Sequence, residues 1–324
     1  METDFFLNRE TLTVFFTLII LVVVFYFLWK LFKKSIGSGG GMFSETPILS
    51  SFSRDLTEMA KNNSIDPVVG REKEIEHLIT VLSKRTKNNA VLIGEAGVGK
   101  TTIVEGLAQK IISKNIPIEL RGKRVLALDL NALLSGTKYR GEFEGRVKKI
   151  TEEITNTKRN IILFIDEIHN LIESEGSSGS VSVGDIFKPA MARGDLQIIG
   201  ATTKAEYDEY FHKDMAFKRR LQPIFVDEPD KAETLNILKG IRGKYETYHK
   251  VKISDEVLQA CIDQSERMLP DRSFPDKAID LMDESASKTR MKCIVDEKID
   301  CQLIPEVKIE DVHNIAEEYK EVKS

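Results

Sequence analysis

A glycine-rich turn followed by lysine and threonine has the clearest chemical potential in this sequence. An apolar run at residues 91–93 precedes it, and the turn reads Gly94-Glu95-Ala96-Gly97-Val98-Gly99-Lys100-Thr101-Thr102. Glycines at this spacing let backbone N–H groups turn inward and surround phosphate oxygens. A helix beginning near Lys100 adds the positive end of its dipole. The segment therefore predicts a phosphate-binding loop between a strand and a helix.

Two side chains of this loop have chemistry suited to a nucleoside triphosphate and its metal. Lys100 is placed to reach the β- and γ-phosphates, and the Thr101 hydroxyl is placed to hold Mg²⁺. The cofactors predicted are ATP and Mg²⁺. The remaining nucleotide contacts predicted from the loop are Gly94, Glu95, Ala96, Gly97, Val98, Gly99 and Thr102.

A pair of acids ends an apolar segment that lies sixty-odd residues after the loop. Residues 161–165 are all apolar, and Asp166 and Glu167 follow them. Carboxylates at the end of a parallel strand lie where ligands bind in open α/β sheets. We predict that Asp166 holds Mg²⁺ and that Glu167 polarises the attacking water. An ordinary solvated strand end is the alternative, but the preceding phosphate loop favours the catalytic interpretation.

Two further groups qualify as partners of the γ-phosphate. Gly200-Ala201-Thr202-Thr203 follows another apolar run at residues 196–199, and a hydroxyl there can sense the γ-phosphate, orient the attacking water or belong to an ordinary turn. Arg219 and Arg220 come about one helix later. A basic pair is often only a solvated face, but a guanidinium can also reach the γ-phosphate of a neighbouring subunit. The residues alone leave both interpretations open.

The hydrophobic pattern predicts an α/β fold. Short runs rich in branched apolar residues alternate with helical stretches, at residues 90–93, 125–130, 161–165, 196–201 and 224–226. This alternation is typical of a parallel sheet sandwiched by helices. After Pro229 only helical stripes remain. We predict a large α/β subdomain over residues 53–229 and a small helical lid over residues 230–324.

Composition limits the partners. The chain has 324 residues, of which 30% are charged and 41% hydrophobic, and its net charge is −4. This acidic balance argues against nucleic acid, which needs a basic face. Three cysteines without a C-x-x-C pair suit a reducing compartment.

The N-terminal region predicts a membrane helix. Residues 12–29 contain only two polar residues, and a helix of this length spans roughly 27 Å, close to the thickness of the hydrocarbon layer. The acidic segment before it argues against a cleaved signal peptide. Lysines after the run place the chain that follows in the cytoplasm. We therefore expect a single-pass helix at 12–32, an extracytoplasmic N-terminus at 1–11, and a flexible Gly/Ser linker at 33–52.

Taken together, these residues resemble the AAA+ ATPases, and more narrowly the first nucleotide-binding module of the ClpA, ClpB and ClpC unfoldases. The resemblance runs from about residue 55 to residue 320. Besides the phosphate loop, its most specific segments are Asp66-Pro67-Val68-Val69-Gly70-Arg71-Glu72, Arg85-Thr86-Lys87-Asn88-Asn89, Lys138-Tyr139-Arg140-Gly141-Glu142-Phe143-Glu144, Gly200-Ala201-Thr202-Thr203 and Pro275-Asp276-Lys277-Ala278-Ile279-Asp280.

The resemblance implies roles that spacing alone does not assign. It implies a hexameric ring in which Val68 and Val69 line the adenine pocket, Thr203 is the first sensor, and Arg219 and Arg220 act on the adjacent subunit's nucleotide. It also makes Lys138, Tyr139 and Arg140 a loop that faces the central pore and grips a polypeptide. Spacing alone favours an ordinary exposed tyrosine there. Residues 173–183 are implied to be a second pore loop or disordered.

The resemblance also has gaps. The sequence shows no counterpart of the coiled-coil insertion or of the second ATPase module, so the resemblance does not carry docking to a ClpP-type peptidase or a DnaK-type chaperone over to this chain, and a membrane or protease partner stays unidentified. A membrane anchor with one AAA+ ring resembles the layout of FtsH, but the sequence has no H-E-x-x-H. The function expected is a membrane-anchored Clp-type ATPase that unfolds or remodels protein substrates through a hexameric pore. The alternative is an ATP-dependent switch or scaffold that regulates a membrane complex without threading.

Overall fold

The computed structural model describes residues 18–23, 26, 46–135, 140–173, 183–211, 214–295 and 304–323. Within these residues one six-stranded sheet carries the large subdomain. Its strands are β1 Ser53–Asp55, β2 Asn89–Ile93, β3 Arg124–Leu128, β4 Ile161–Ile165, β5 Gln197–Thr202 and β6 Leu221–Phe225.

The strands lie in the order β1-β3-β4-β5-β2-β6, and all neighbours from β3 to β6 are parallel. The carboxyl ends of β2, β4 and β5 therefore meet at one edge of the sheet, with β5 between the other two. This arrangement brings the phosphate loop, the acid pair and Thr203 to the same edge.

The prediction of a wholly parallel sheet is wrong at one edge. β1 pairs antiparallel with β3, so the sheet is mixed. The three residues Ser53, Arg54 and Asp55 contain no apolar run that a periodicity argument can detect. Their pairing with β3 is supported by an ion pair between Arg124 Nε and Asp55 Oδ2 at 2.8 Å.

Helices connect the strands and cover both faces of the sheet. In the large subdomain they are α1 Pro47–Ser51, α2 Leu56–Lys61, α3 Glu72–Leu82, α4 Lys100–Ile112, α5 Leu130–Leu134, α6 Arg140–Asn156, α7 His169–Glu173, α8 Val183–Arg193, α9 Lys204–Tyr210 and α10 Met215–Lys218. After Pro229 they are α11 Lys231–His249, α12 Asp255–Met268, α13 Asp276–Val295 and α14 Ile309–Lys323.

The two faces of the sheet bury separate hydrophobic clusters. Successive side chains of a strand point to opposite faces. Along β2, Val91 and Ile93 therefore join one cluster, and Ala90 and Leu92 join the other. Because both faces of the sheet are buried, the strands consist of continuous apolar runs. These runs made the strands recognisable in the sequence.

The lid has a core of its own. Apolar residues from α11 to α14 form a third buried cluster, which includes Leu238, Leu258, Leu281 and Ile315. Ser254 is the N-cap of α12, because its side chain accepts a hydrogen bond from the Val257 N–H at 3.4 Å. Such a cap satisfies one of the N–H groups that a helix start leaves without a partner.

The flexible linker expected at residues 33–52 is wrong at its C-terminal end. Residues 47–51 form α1, and Leu49 is fully buried in the core. The carboxylate of Glu153 on α6 accepts hydrogen bonds from the N–H groups of Ile48 and Leu49, at 3.0 and 2.8 Å. A helix start capped by a distant carboxylate leaves no local signal in the sequence.

The membrane prediction is corrected as well. A span needs about 20 continuous apolar helical residues. No helix within the described part of the chain is long and apolar enough to cross a membrane. Of the predicted 12–32 span, residues 18–23 and 26 are described, whereas residues 1–11 and 33–45 lie outside the described part. The expected localisation, a single-pass membrane protein with a cytoplasmic ATPase domain, is contradicted by this finding and is withdrawn.

Candidate nucleotide-binding site

The phosphate loop has a backbone that requires its glycines. Gly97 and Gly99 have φ angles of 81° and 95°, in the left-handed region that glycine adopts at little cost. A Cβ on Gly94 would lie 2.4 Å from the carbonyl oxygen of Val226. The loop then enters α4, which begins at Lys100 with Gly99 as its N-cap. The N–H groups of this helix start are available to an anion.

The ammonium group of Lys100 lies against the loop itself. Its Nζ donates to the carbonyl oxygens of Gly94 and Glu95, each at 2.9 Å. Burial lowers the pKa of Lys100, and the negative charges of Asp166 and Glu206 oppose this effect. The lysine is thus held within the loop, facing a cluster of carboxylates.

Arg71, for which no role was predicted, stabilises the phosphate loop by hydrogen bonding. The residue is 5% exposed, and its guanidinium donates to the carbonyl oxygens of Val98 and Asp227, at 2.7 and 3.0 Å. A further bond to Glu74 at 2.9 Å fixes its orientation. Arg71 therefore ties the phosphate loop to the segment after β6 that leads into the lid.

The predicted magnesium ligands lie next to each other. Thr101 Oγ1 is 3.5 Å from Asp166 Oδ2. The described residues contain no cluster of three or more His, Cys, Asp or Glu side chains that could hold a metal by themselves. One hydroxyl and one carboxylate fit Mg²⁺, which is usually held by one or two protein oxygens together with substrate phosphates.

Glu167 is held in an unusual backbone conformation. Its φ angle is 48°, which is uncommon for a residue with a side chain and is often found at functional sites. Its N–H donates to Asp166 Oδ1 at 3.0 Å, and its Oε2 accepts from Asn170 Nδ2 at 3.2 Å. Asn170 is a partner that the sequence analysis did not find.

Thr203 lies at the end of β5, between the acid pair and the phosphate loop. It is the N-cap of α9, and its hydroxyl accepts from the Glu206 N–H at 3.3 Å. Glu206 in turn accepts from the Thr203 N–H at 2.9 Å, which completes a capping box. The position of the predicted sensor is therefore fixed by α9.

A cavity of about 450 Å³ connects these groups. Its lining comes from the phosphate loop, from both strand ends and from the lid, and comprises Ala96, Gly97, Gly99, Lys100, Thr101, Thr102, Asp166, Glu167, Thr202, Thr203, Glu206, Pro275, Asp276 and Ile279. The three lid residues lie at the start of α13, and no role was predicted for them.

Asp276 of the lid lies next to the phosphate loop. A Cβ placed on Gly97 would lie 2.8 Å from the Asp276 Cβ. Burial and the neighbouring charge of Asp280 raise the pKa of Asp276. The lid thus brings a carboxyl group to the loop that is predicted to bind phosphate.

Val68 and Val69 lie between the large subdomain and the lid. Both are half-buried, and neither lines the 450 Å³ cavity. A Cβ on Gly106 of α4 would lie 3.2 Å from Val68, and one on Gly240 of α11 would lie 2.5 Å from Val69. The valines therefore fill the junction between the loop helix and the first lid helix.

The remaining predicted residues are not assembled around this cavity. Arg219 is exposed and Arg220 half-buried in the turn between α10 and β6, and neither lines the cavity of its own chain. Lys138 and Tyr139 lie outside the described residues, as do residues 174–182 of the second predicted loop. Arg140 is the first residue of α6, and only its backbone is described.

The fold and the cavity define a class of protein. A phosphate loop on a central parallel strand, an acid pair on a nearby strand and a helical lid against the loop are the parts of a P-loop nucleoside triphosphatase. Comparison with known proteins gives the family. Residues 90–225 match the AAA family (ATPase family associated with various cellular activities), and residues 230–322 match the AAA lid domain.

Proteins of similar sequence include Clp proteins. The chain is 56% identical over 255 residues to the chaperone protein ClpB of Oceanobacillus iheyensis, covering 79% of this chain and 31% of that protein. It is 54% identical over 258 residues to the negative regulator of genetic competence ClpC/MecB of Bacillus subtilis, covering 80% and 32%. The chain thus spans about a third of the length of these relatives.

Solved structures show the same likeness. The S. cerevisiae Hsp104:casein complex in its extended conformation has a TM-score of 0.75 and 42% identity over 84% of this chain and 45% of that chain. The S. cerevisiae Hsp104-ADP complex gives 0.74 and 42%, over 83% and 44%. By its AAA and AAA lid domains the chain belongs to the AAA+ ATPases, and it is homologous to the nucleotide-binding modules of ClpB, ClpC and Hsp104.

Proposed function

We propose that the chain binds Mg-ATP in the cavity at the carboxyl edge of the sheet and hydrolyses it there. The observation that supports this most strongly is the convergence of Lys100, Thr101, Asp166, Glu167 and Thr203 on one cavity. The N–H groups of the loop and the start of α4 bind phosphate oxygens. When ATP binds, Lys100 Nζ leaves the carbonyl oxygens of Gly94 and Glu95 and donates to the β- and γ-phosphates instead.

Each remaining group has one role in this proposal. Thr101 and Asp166 hold Mg²⁺, which supplies positive charge to the phosphate oxygens. Glu167 orients a water molecule and accepts its proton as the water attacks the γ-phosphorus, while the bond from this phosphorus to the β–γ bridging oxygen breaks and ADP leaves. The Thr203 hydroxyl donates a hydrogen bond to the γ-phosphate. The adenine extends beyond this cavity to the junction of the two subdomains, where Val68 and Val69 form an apolar wall for it.

We further propose that the chain forms a hexameric ring in which Arg219 and Arg220 complete the site of the adjacent subunit. The support is their sequence position, the exposure of Arg219, and the fact that neither lines the cavity of its own chain. A guanidinium in this place offsets the charge that builds up on the γ-phosphate oxygens in the transition state.

Arg219→Ala tests this arrangement in trans. The variant alone should hydrolyse ATP on the order of 10³-fold more slowly, the usual effect of losing an arginine finger. An equal mixture with Glu167→Gln subunits should recover activity in about a quarter of the interfaces, if subunits assort randomly in a closed ring. Phosphate release is measured in both cases, and a mixture of unaltered and Glu167→Gln subunits controls for inhibition by the second variant. A mixture no more active than Arg219→Ala alone would contradict action in trans.

The work that we propose for this ATPase is the remodelling of protein substrates drawn through the ring. Tyr139, flanked by Lys138 and Arg140, presents an aromatic ring to an extended polypeptide of almost any sequence. The energy is sufficient, because a typical domain is held by about 5–15 kcal/mol, which several ATP cycles exceed. The Hsp104 structures with casein support the choice of casein as a probe.

Tyr139→Ala separates a threading motor from an ATP-dependent switch. In a motor the variant should bind fluorescein-labelled casein at least about tenfold more weakly in the presence of ATP, because hot-spot aromatics dominate such contacts. Its ATPase rate should change by less than about twofold, since Tyr139 has no role at the phosphates. Fluorescence anisotropy and phosphate release give the two readings.

The matched control is Tyr248→Ala, which removes a tyrosine that is 82% exposed on the lid. Casein binding should be unchanged in this variant. Unchanged casein binding in Tyr139→Ala would exclude the threading role and leave the switch as the explanation for ATP turnover.

A further inference from the structure

A carboxylate joins the two strand ends that carry the catalytic groups. Glu206 Oε2 accepts from the Thr203 N–H at 2.9 Å and from the Thr202 hydroxyl at 3.0 Å. The same oxygen lies 3.1 Å from Nδ1 of His169. His169 begins α7, two residues after Glu167, whereas Glu206 lies on α9 after β5.

The three side chains are well suited to a fixed network. Thr202 and His169 are 2% and 8% exposed, and Glu206 lines the cavity. Burial by itself raises the pKa of Glu206, but hydrogen bonds from Thr203 and Thr202 and the charge of His169 lower it below its usual value. Glu206 is therefore a carboxylate. Because a carboxylate only accepts hydrogen bonds, we assign the hydrogen between His169 Nδ1 and Glu206 Oε2 to the histidine.

Helix capping explains only part of this network. The capping box of α9 needs the two bonds between Thr203 and Glu206 and no others. The contacts with Thr202 and His169 reach beyond the helix, to the end of β5 and to the start of α7. His169 also stacks on Tyr210 at the end of α9, with ring centroids 5.8 Å apart. α7 and α9 are thus connected at both ends of α9.

The first turn of α7 also contacts the side chain of Glu167. Asn170, which follows His169, donates from Nδ2 to Glu167 Oε2 at 3.2 Å. The backbone N–H of Ile168 donates to the carbonyl oxygen of Ala201 on β5 at 3.0 Å. Residues 168–170 therefore contact the end of β5 through Ile168 and His169, and they contact the Glu167 carboxylate through Asn170.

We propose that Glu206 and His169 are positioning residues for ATP hydrolysis, which hold the predicted γ-phosphate sensor Thr203 and the predicted general base Glu167 in one fixed relation. This inference rests on the roles proposed above for Thr203 and Glu167. A displacement of Thr203 by the γ-phosphate is passed through Glu206 and His169 to the turn that carries Glu167. Loss of the link leaves nucleotide binding intact and slows the chemical step.

Two substitutions of His169 distinguish a hydrogen-bonding role from a packing role. His169→Phe keeps the aromatic stack on Tyr210 but has no donor, whereas His169→Asn keeps an N–H near the position of Nδ1 but has no ring. If the link to Glu206 matters, the kcat for ATP should fall at least tenfold in His169→Phe and less than threefold in His169→Asn. If packing alone matters, the order is reversed.

Glu206→Gln is the independent variant, because its amide oxygen can still accept the bonds made to Oε2 while the negative charge that strengthens the bond from His169 is lost. Its kcat should fall at least fivefold, with the Kd for a fluorescent ATP analogue within twofold of the unaltered chain. Asp208→Asn is the matched control, since Asp208 is exposed on the same helix and pairs only with Lys204 among the described residues. All variants are made in the full chain and compared at equal subunit concentration.

The outcomes separate this inference from the proposed function. Full kcat in both His169→Phe and Glu206→Gln, while Glu167→Gln is inactive, would overturn the positioning role alone. A tenfold or greater loss of nucleotide affinity in either variant would also overturn it, because the link is then needed for binding. Full turnover by Glu167→Gln would instead remove the general base on which the inference depends.

Discussion

The Glu167→Gln variant is expected to bind ATP and to hydrolyse it at least about 10²-fold more slowly than the unaltered chain. A positioned general base typically contributes about 10²–10⁴-fold to such a reaction. The amide has the same shape, and its oxygen can still accept the bond from Asn170 that Glu167 now receives at 3.2 Å. It cannot accept a proton from water. Phosphate release and the amount of bound nucleotide are measured on the same sample.

A matched acid elsewhere controls for this change. Glu266→Gln removes a carboxylate from the exposed surface of the lid, where it pairs with Lys231 at 2.6 Å. Its turnover should equal that of the unaltered chain. If Glu167→Gln also turns over normally, Glu167 is not the general base, and the adjacent carboxylates of Asp166 and Glu206 become the groups to test.

The second large effect is expected for Lys100→Ala, which should weaken nucleotide binding on the order of 10²-fold or more. Removing one partner of a buried, hydrogen-bonded charge pair typically costs about 2–5 kcal/mol. Lys100 is the cation within the phosphate loop, where its Nζ already lies 2.9 Å from two loop carbonyl oxygens. Titration with a fluorescent nucleotide measures the change in Kd.

Lys110→Ala is the control for this variant. Lys110 lies in the last turn of the same helix, α4, which begins at Lys100. Lys110→Ala removes one positive charge from the same helix, as Lys100→Ala does, but it leaves the phosphate loop intact. Nucleotide affinity should therefore stay within about twofold. Tight nucleotide binding by Lys100→Ala would show that the phosphates bind elsewhere.

The sequence predicts most of the sheet because its strands are buried on both faces. The run at 161–165 coincides with β4, and the run at 90–93 lies within β2. β6 begins at Leu221, three residues earlier than the pattern indicated, because the alternating exposure of this edge strand breaks the apolar run. β1 and α1 were missed because they depend on pairing with β3 and on capping by Glu153.

The site residues that were predictable are those that form short motifs of adjacent residues in the sequence. The loop from Gly94 to Thr102 and the pair Asp166–Glu167 are local motifs, and the parallel sheet brings them together. Arg71 and Asp276 belong to segments that the family resemblance marked, but nothing in their spacing shows that both contact the phosphate loop. Such contacts depend on how α3 and α13 pack, which periodicity does not determine.

Glu206 is an intermediate case. The pattern Thr203-x-x-Glu206 is a recognisable capping box, so the sequence carries a signal for its local role. Its contact with His169 joins two residues that are 37 positions apart in the chain and follows only from the adjacency of β4 and β5. The membrane prediction relied on the length and hydropathy of one run, and the described helices do not support it.

Sedimentation of Glu167→Gln with and without Mg-ATP tests the central claim most directly. In the proposed site, phosphates bind in the turn after Ile93 and a guanidinium from an adjacent subunit completes the pocket. The full chain is therefore expected to sediment as a ring-sized assembly that retains about one ATP per subunit, and as smaller species without nucleotide. Protein that neither retains ATP nor associates under these conditions would contradict the account.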